Sequence, residues 1–282
     1  MQIAVASGKG GTGKTTLATS LALSMAGQGR VRYLDCDVEA PDGHLFLCPV
    51  FSETVEATLW VPQIQAEKCT ACGRCVDVCQ YHALAKIAGN ILVFPQLCHG
   101  CGSCSQNCPA GAILEVPNSI GVLEQGSTGE GIQFFRGLLT ISEPMPTPII
   151  RQLKKRVQPS GEILDILDAP PGASCSVVET LRGVDYVLLV TEPTPFGLHD
   201  LKQMVAIVRE MHIPAGVVIN RDGIGDHCVE AFCTAENLPV VLRIPFEREI
   251  AAGLAKGQTL LAIHPQYLAV FRELVGHIYE EV

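Results

Sequence analysis

The chain has 282 residues, and 20 Lys+Arg against 29 Asp+Glu leave a formal net charge of −9, which argues against a cationic face for gripping nucleic-acid phosphates or anionic lipid. With 48% hydrophobic and only 17% charged residues, there is ample apolar surface to offset folding entropy, which excludes a disordered chain. Thirteen cysteines are an excess that an ordinary enzyme of a reducing compartment does not need.

The N-terminus lacks the basic and extended apolar regions of a signal peptide, and no apolar run approaches the roughly 18 residues of a membrane helix. A cytoplasmic protein is expected, bound to neither membrane nor nucleic acid, with thiols available as ligands rather than paired as disulfides.

Gln2 to Ala6 reads as a short strand and Ser7 to Lys14 as a glycine-rich loop. Thr15 to Ala26 reads as a helix, with Leu17, Leu21, Ala22 and Met25 at helical spacing. Inside the loop, Gly8-Lys9-Gly10-Gly11-Thr12-Gly13-Lys14-Thr15 fits G-x-x-x-x-G-K-[ST] and is followed by Thr16. Such glycines let backbone N–H groups turn around phosphate oxygens at a helix N-terminus. Lys14 would reach the β/γ-phosphates, and the Thr15 hydroxyl would ligate Mg²⁺. The next apolar run, Val31 to Leu34, closes on Asp35-Cys36-Asp37, where carboxylates at a strand's C-terminal end meet ligands in open α/β sheets.

Two cysteine runs follow. Cys69-x₂-Cys72-x₂-Cys75-x₃-Cys79 recurs 29 residues later as Cys98-x₂-Cys101-x₂-Cys104-x₃-Cys108-Pro109, an internal duplication. Zinc ribbons do not supply a third and fourth cysteine at these spacings twice over. Between the runs, Ile87 to Val93 reads as a hairpin turning at Gly89-Asn90. Cys36, Cys48, Cys175, Cys228 and Cys233 stand outside the pattern and read as small apolar residues, with Cys175 notable for following a candidate switch turn. His99, between two cysteines, flanks them rather than ligating. Glycines 126, 129 and 131 and prolines 144, 146 and 148 mark residues 121–155 as a loop-rich connection rather than core.

Ile163 to Asp168 is another strand, ending in Asp168-Ala169-Pro170-Pro171-Gly172, a stiff turn beside a carboxylate able to hold Mg²⁺ through water. Strands at Tyr186–Val190, Ala215–Ile219 and Val240–Ile244 alternate with helices near 197–211 and 226–236. That rhythm gives an α/β fold with a doubly wound, mostly parallel sheet. At the C-terminus, Tyr267, Phe271, Leu274, Val275 and Ile278 make an apolar stripe ending in Glu280-Glu281. An acidic tip suits a helix docked on its own core better than one lying on a membrane.

The loop from Gly8 to Thr16 resembles the deviant Walker A motif of the MinD/ParA/Mrp P-loop ATPases, a superfamily that includes the nitrogenase iron protein. That resemblance implies ATP and Mg²⁺, with Lys9 reaching across a nucleotide-bridged homodimer and Asp37 orienting the attacking water. It also implies Asp168 as the Walker B aspartate, Asn220 reading adenine, and Pro245-Phe246 beside the base. The cysteine runs resemble a bacterial two-cluster ferredoxin, in which the fourth cysteine of each run serves the other cluster. This implies one 4Fe–4S cluster on Cys69, Cys72, Cys75 and Cys108 and another on Cys98, Cys101, Cys104 and Cys79. Gln80 departs from the pattern, standing where proline would follow Cys79. The expected organisation is an ATPase domain, 1–62 and 117–282, holding an inserted α+β ferredoxin-like domain, 63–116. The expected function is an ATPase coupled to electron transfer or to metal-cluster and cofactor assembly on a partner protein. A MinD-like spatial regulator with structural clusters, and an amide-forming synthetase of the cobyrinic-acid type, are the weaker alternatives.

Overall fold

The computed structural model describes residues 1–157 and 161–282. In chain order its strands are β1 (Gln2–Ala6), β2 (Arg30–Asp35), β3 (Val50–Ile64), β4 (Leu84–Ile87), β5 (Asn90–Val93) and β6 (Ile113–Ser127). They continue with β7 (Gln133–Leu139), β8 (Ile163–Asp168), β9 (Tyr186–Thr191), β10 (Ala215–Asp222) and β11 (Val240–Pro245). Among the described residues, nine strands form one sheet in the order β11-β10-β9-β1-β8-β2-β7-β6-β3, and β4 pairs only with β5. Neighbours from β11 to β7 run parallel, whereas β6 is antiparallel to both β7 and β3.

Side chains alternate across a strand, so each buried strand feeds two cores. Ala4 and Ala6 of β1 face one, packed with Ile150 and Leu153, Val177, Met204 and Val229 from helices Thr147–Arg156, Cys175–Leu181, Pro195–Glu210 and Cys228–Ala235. Ile3 and Val5 face the other, with Leu17 and Leu21 of helix Lys14–Met25 and Phe271, Leu274, Val275 and Ile278 of helix Tyr267–Glu281. Helices therefore cover both faces of an α/β sheet, and the C-terminal stripe is spent on this core.

Two expectations need correcting. Residues 121–155 are not a loop-rich connection: they hold the C-terminal part of β6, all of β7 and most of helix Thr147–Arg156. Gly126 is needed inside β6 because a Cβ there would stand 2.3 Å from the Val50 carbonyl oxygen, so glycine marks close strand approach rather than a turn. Prolines 146 and 148 open the helix instead of preventing one. The hairpin turn also sits one residue earlier than expected. Ile87 pairs with Asn90, which leaves Ala88 and Gly89 as the central residues, both at positive φ, as a type I′ turn requires.

The long pair β3–β6 carries the cysteine segment. Beyond Ile120, whose carbonyl still accepts from Thr140 N–H, the strand ladder of β6 is with β3 alone. At about 3.3 Å per residue, residues 113–119 extend this ribbon roughly 20 Å. Pro62 and Pro117 lie in that outer half, where missing N–H donors are tolerated. The boundaries at 62/63 and 116/117 fall within these strands. At the tip, Gln65 N–H donates to the Ala112 carbonyl at 2.8 Å.

The sheet also buries charge. Arg32 on β2 donates through Nε and Nη2 to both carboxylate oxygens of Asp165 on β8, at 2.6 and 2.9 Å, and Gln2 adds a 2.9 Å bond to the same carboxylate. Asp165 is thus structural. Breaking one partner of a buried pair leaves the other uncompensated. Arg32→Met is expected to lower the unfolding free energy by about 3–5 kcal/mol, measured by urea denaturation, while Arg32→Met combined with Asp165→Leu recovers much of it.

Candidate functional site

The C-terminal ends of the parallel strands meet at the loop between β1 and helix Lys14–Met25. They enclose a cavity of about 310 Å³ lined by Gly10, Gly11, Gly13, Lys14, Thr15, Thr16, Asp37, Asn220, Pro245 and Phe246. That volume lies in the range of small-ligand sites. Gly13 holds φ +96°, and a Cβ there would stand 2.3 Å from Asn220 Nδ2, so only glycine fits. Asn220 Nδ2 donates to the Thr12 carbonyl at 2.7 Å and Oδ1 accepts from Arg221 N–H at 2.9 Å. The amide is therefore clamped onto the loop as well as facing the cavity. Gly8 packs against Asp200, where a Cβ would stand 2.5 Å from the Asp200 Cβ.

Lys14 is buried and its charge acts on both Asp37 and Asp168. Burial pushes the Asp37 carboxyl up to about 6, with Lys14 opposing it. Burial likewise raises Asp168 to about 6, opposed by the Lys14 charge and by the nearby Thr15 and Tyr33 hydroxyls. Asp35, beside Asp168 on the neighbouring strand, is pushed well up by burial and by that carboxylate. Its two oxygens accept from Gly43 and Asp37 N–H groups, which pins the segment after β2.

Among the described residues, Thr12 Oγ1 and Asp168 Oδ1 in this part of the fold are buried side-chain atoms without a hydrogen-bond partner. An orphaned hydroxyl in a glycine-rich loop and an orphaned carboxylate oxygen beside Thr15 suit a phosphate and a hydrated divalent cation.

Several participants carried no clear signal in the sequence. Tyr33, buried in β2, donates its hydroxyl to Asp168 Oδ2 at 2.8 Å; a tyrosine in an apolar run reads as core. Asp42, Phe46, Arg221, Ile250, Ala251 and Leu254 also line the cavity, contributed by chain-distant segments. Glu192 is buried after β9 and bonds Lys9 Nζ at 3.2 Å and Arg221 Nη1 at 2.6 Å. Lys9 is thus engaged within its own chain and does not line its own cavity.

Because Tyr33 fixes the rotamer of Asp168, Tyr33→Phe is expected to raise the Mg²⁺ concentration for half-maximal ATP turnover about tenfold, read from a Mg²⁺ titration of phosphate release. Burial lifts both Asp37 and Asp168 above their ordinary 3.8. If both work as carboxylates, protonation removes activity: kcat/KM for ATP, which reports free-enzyme groups, is then expected to fall as pH drops through about 6. The sign for stability is opposite. The ligand-free fold binds these protons more tightly than the unfolded chain, so it loses stability as pH rises through that window.

The eight cysteines of the duplicated runs lie at the ribbon tip. Cys69, Cys72, Cys75 and Cys108 line one cavity, and Cys79, Cys98, Cys101 and Cys104 line another. Each set takes three cysteines from one run and the fourth from the other. The 29-residue repeat extends to the backbone: Ala71 and Gly100, Gly73 and Gly102, and His82 and Gly111 are matching positive-φ positions. Ala83 and Ala112 N–H groups likewise donate to Cys79 and Cys108 Sγ, each at 3.3 Å. Among the described residues, no group of three or more His, Cys, Asp or Glu side chains converges as a single-ion site. Burial pushes the Cys104 thiol up to about 11, and it also raises Cys75 and Cys98. Tyr81 stacks on His99 at 3.6 Å between ring centroids. Cys175 is exposed, at the start of the helix after the Asp168–Gly172 turn.

The CobQ/CobB/MinD/ParA nucleotide-binding domain model matches residues 3–260. The chain belongs to this family. An uncharacterized Methanocaldococcus jannaschii protein, MJ0579, is 31% identical over 93% of this chain and 91% of its own length. The cytosolic Fe–S cluster assembly factor CFD1 of Yarrowia lipolytica is 26% identical over 81% of this chain and 64% of its own. In fold, the chain is similar to the septum site-determining protein MinD of Pyrococcus horikoshii complexed with Mg-ADP, with TM-score 0.59 and 17% identity over 98% and 95% of the two chains. The α/β, mostly parallel architecture is therefore that of a MinD-like P-loop NTPase. Among the described residues, no helix is long and apolar enough to cross a membrane.

Proposed function

We propose that the chain is an Mg²⁺-dependent ATPase with two resident 4Fe–4S clusters, whose nucleotide cycle is coupled to electron transfer or to delivery of a metal cluster or cofactor to a partner protein. The observation that carries this reading is the gathering of four cysteines from both runs around each of two cavities. Thiols with backbone N–H donors to sulfur suit iron–sulfur ligation. The clusters supply one-electron chemistry when bound; Cys69, Cys72, Cys75 and Cys108 would hold one and Cys98, Cys101, Cys104 and Cys79 the other. Similarity to a cluster assembly factor favours an iron–sulfur setting. We take 63–116 as the inserted ferredoxin-like domain and 1–62 with 117–282 as the ATPase domain.

In the ATPase site, the loop amides from Gly8 to Thr16 and the Lys14 ammonium bind the β/γ-phosphates. Thr15 and Asp168 hold Mg²⁺, Asp37 orients the attacking water, and Asn220 with Pro245 and Phe246 sits against the base. Lys9 leaves Glu192 to complete the partner's site in a nucleotide-bridged homodimer. A route between the two sites runs through the backbone hydrogen-bond framework. The Val38 carbonyl, one residue past Asp37, accepts from Leu139 N–H at 2.8 Å, and β7 is bonded to β6, whose far end carries the cysteines.

The test is anaerobic purification with iron and sulfide analysis, followed by ATP turnover of oxidised and dithionite-reduced protein. About eight irons per chain and a turnover that changes with reduction support the reading. Stoichiometric zinc, or an ATPase indifferent to cluster state with no electron passed on, refutes it.

A further inference from the structure

The 29-residue duplication allows the two cysteine sites to be compared position by position. Lys86 and Glu115 occupy the same place in the repeat, as do Gly73 and Gly102. A Cβ on Gly73 would lie 3.6 Å from Lys86 Cδ, and one on Gly102 would lie 2.9 Å from Glu115 Oε1. Gly73 lines the first cavity; Gly102 and Glu115 line the second. Glu115 is held there by Ser105 Oγ at 2.7 Å, itself bonded to the Gly102 carbonyl. Equivalent positions therefore place an ammonium stem at one site and a carboxylate at the other.

The charges carried along the two repeats differ in the same sense. The first repeat carries Glu67, Lys68, Arg74, Asp77 and Lys86, three cations against two carboxylates. The matching positions of the second are Gln96, Leu97, Ser103, Gln106 and Glu115, one carboxylate and no cation. Reducing a 4Fe–4S cluster adds one electron to an already anionic group. Nearby positive charge favours the reduced form and nearby negative charge disfavours it.

We propose that Lys86 and Glu115 make the two sites unequal electron acceptors: the cluster on Cys69, Cys72, Cys75 and Cys108 is reduced first, and the one on Cys98, Cys101, Cys104 and Cys79 is the lower-potential site. The proposal rests on the cluster reading above. Each step adds one electron to one cluster, with no bond broken and no proton taken up by a thiolate. An electron entering at either site then settles at the first, which becomes the exit of the pair. Both side chains are exposed, so neither substitution removes a core contact, and their influence is open to screening by salt.

The experiment is a redox titration of the full-length, anaerobically loaded protein, with dithionite as reductant and EPR as readout, at low ionic strength. Two waves are expected. Lys86→Gln lowers the upper potential and leaves the lower in place; Glu115→Gln raises the lower and leaves the upper. Each changes the reduced-to-oxidised ratio of its own cluster about tenfold at fixed potential, equivalent to about 59 mV for one electron. Ser105→Ala, which keeps the Glu115 charge, leaves both waves unmoved, and about 1 M salt narrows the gap. Coincident waves in a protein holding about eight irons, or Lys86→Gln acting on the lower wave, overturn the asymmetry while leaving the cluster reading intact. Absence of iron and sulfide overturns both.

Discussion

Lys14→Ala is expected to lower kcat/KM for MgATP about 10²–10³-fold, the usual cost of removing one preorganised charge from a group-transfer site. The lysine is buried at the first turn of its helix, where its ammonium cannot be replaced by water without opening the loop. It also opposes the burial that raises Asp37 and Asp168. Its loss should therefore move the acid limb of the pH profile upward, a signature that mere weakening of nucleotide binding would not produce. Steady-state phosphate release across pH 5–9 reads both effects. Near-normal turnover with an unmoved acid limb would remove Lys14 from the mechanism.

The second large effect is at the ribbon tip. Cys75→Ser is expected to reduce bound iron from about eight to about four per chain, leaving one EPR signal. Cys108→Ser should abolish the same signal as Cys75→Ser, although Cys108 belongs to the other run, because these two line one cavity. Cys79→Ser should instead match Cys104→Ser. If Cys108→Ser and Cys104→Ser were the matching pair, each run would hold its own cluster and the crossed assignment would fail. Cys233→Ala, in the core beside Val229, retains all the iron.

The legible parts of the molecule were those in which local pattern and chemistry coincide. The phosphate loop, the Asp168 strand and the alternating apolar runs each combine a periodicity with a residue type that only one arrangement satisfies. Residues 121–155 were illegible for the opposite reason. Gly129 and Gly131 do turn the chain between β6 and β7, but Gly126 serves close approach to β3, a partner some seventy residues earlier in the chain, and Pro146 and Pro148 open a helix. Tyr33 and Glu192 escaped notice because each acts through a neighbour: one positions Asp168 and the other holds Lys9. A single chain shows which groups it carries, but not which distant group will lean on them.

The β3–β6 ribbon also bears on how such a protein could arise. The chain enters and leaves the cysteine-bearing segment as adjacent paired residues, Ile64 opposite Ile113. A hairpin closed there by a short reversal would leave every pairing with β7 intact, since those begin only at Gly121. The segment is therefore portable in the genetic sense. A lineage could gain or lose it as a cassette at the end of a stalk, with the nucleotide site and its sheet inherited unchanged.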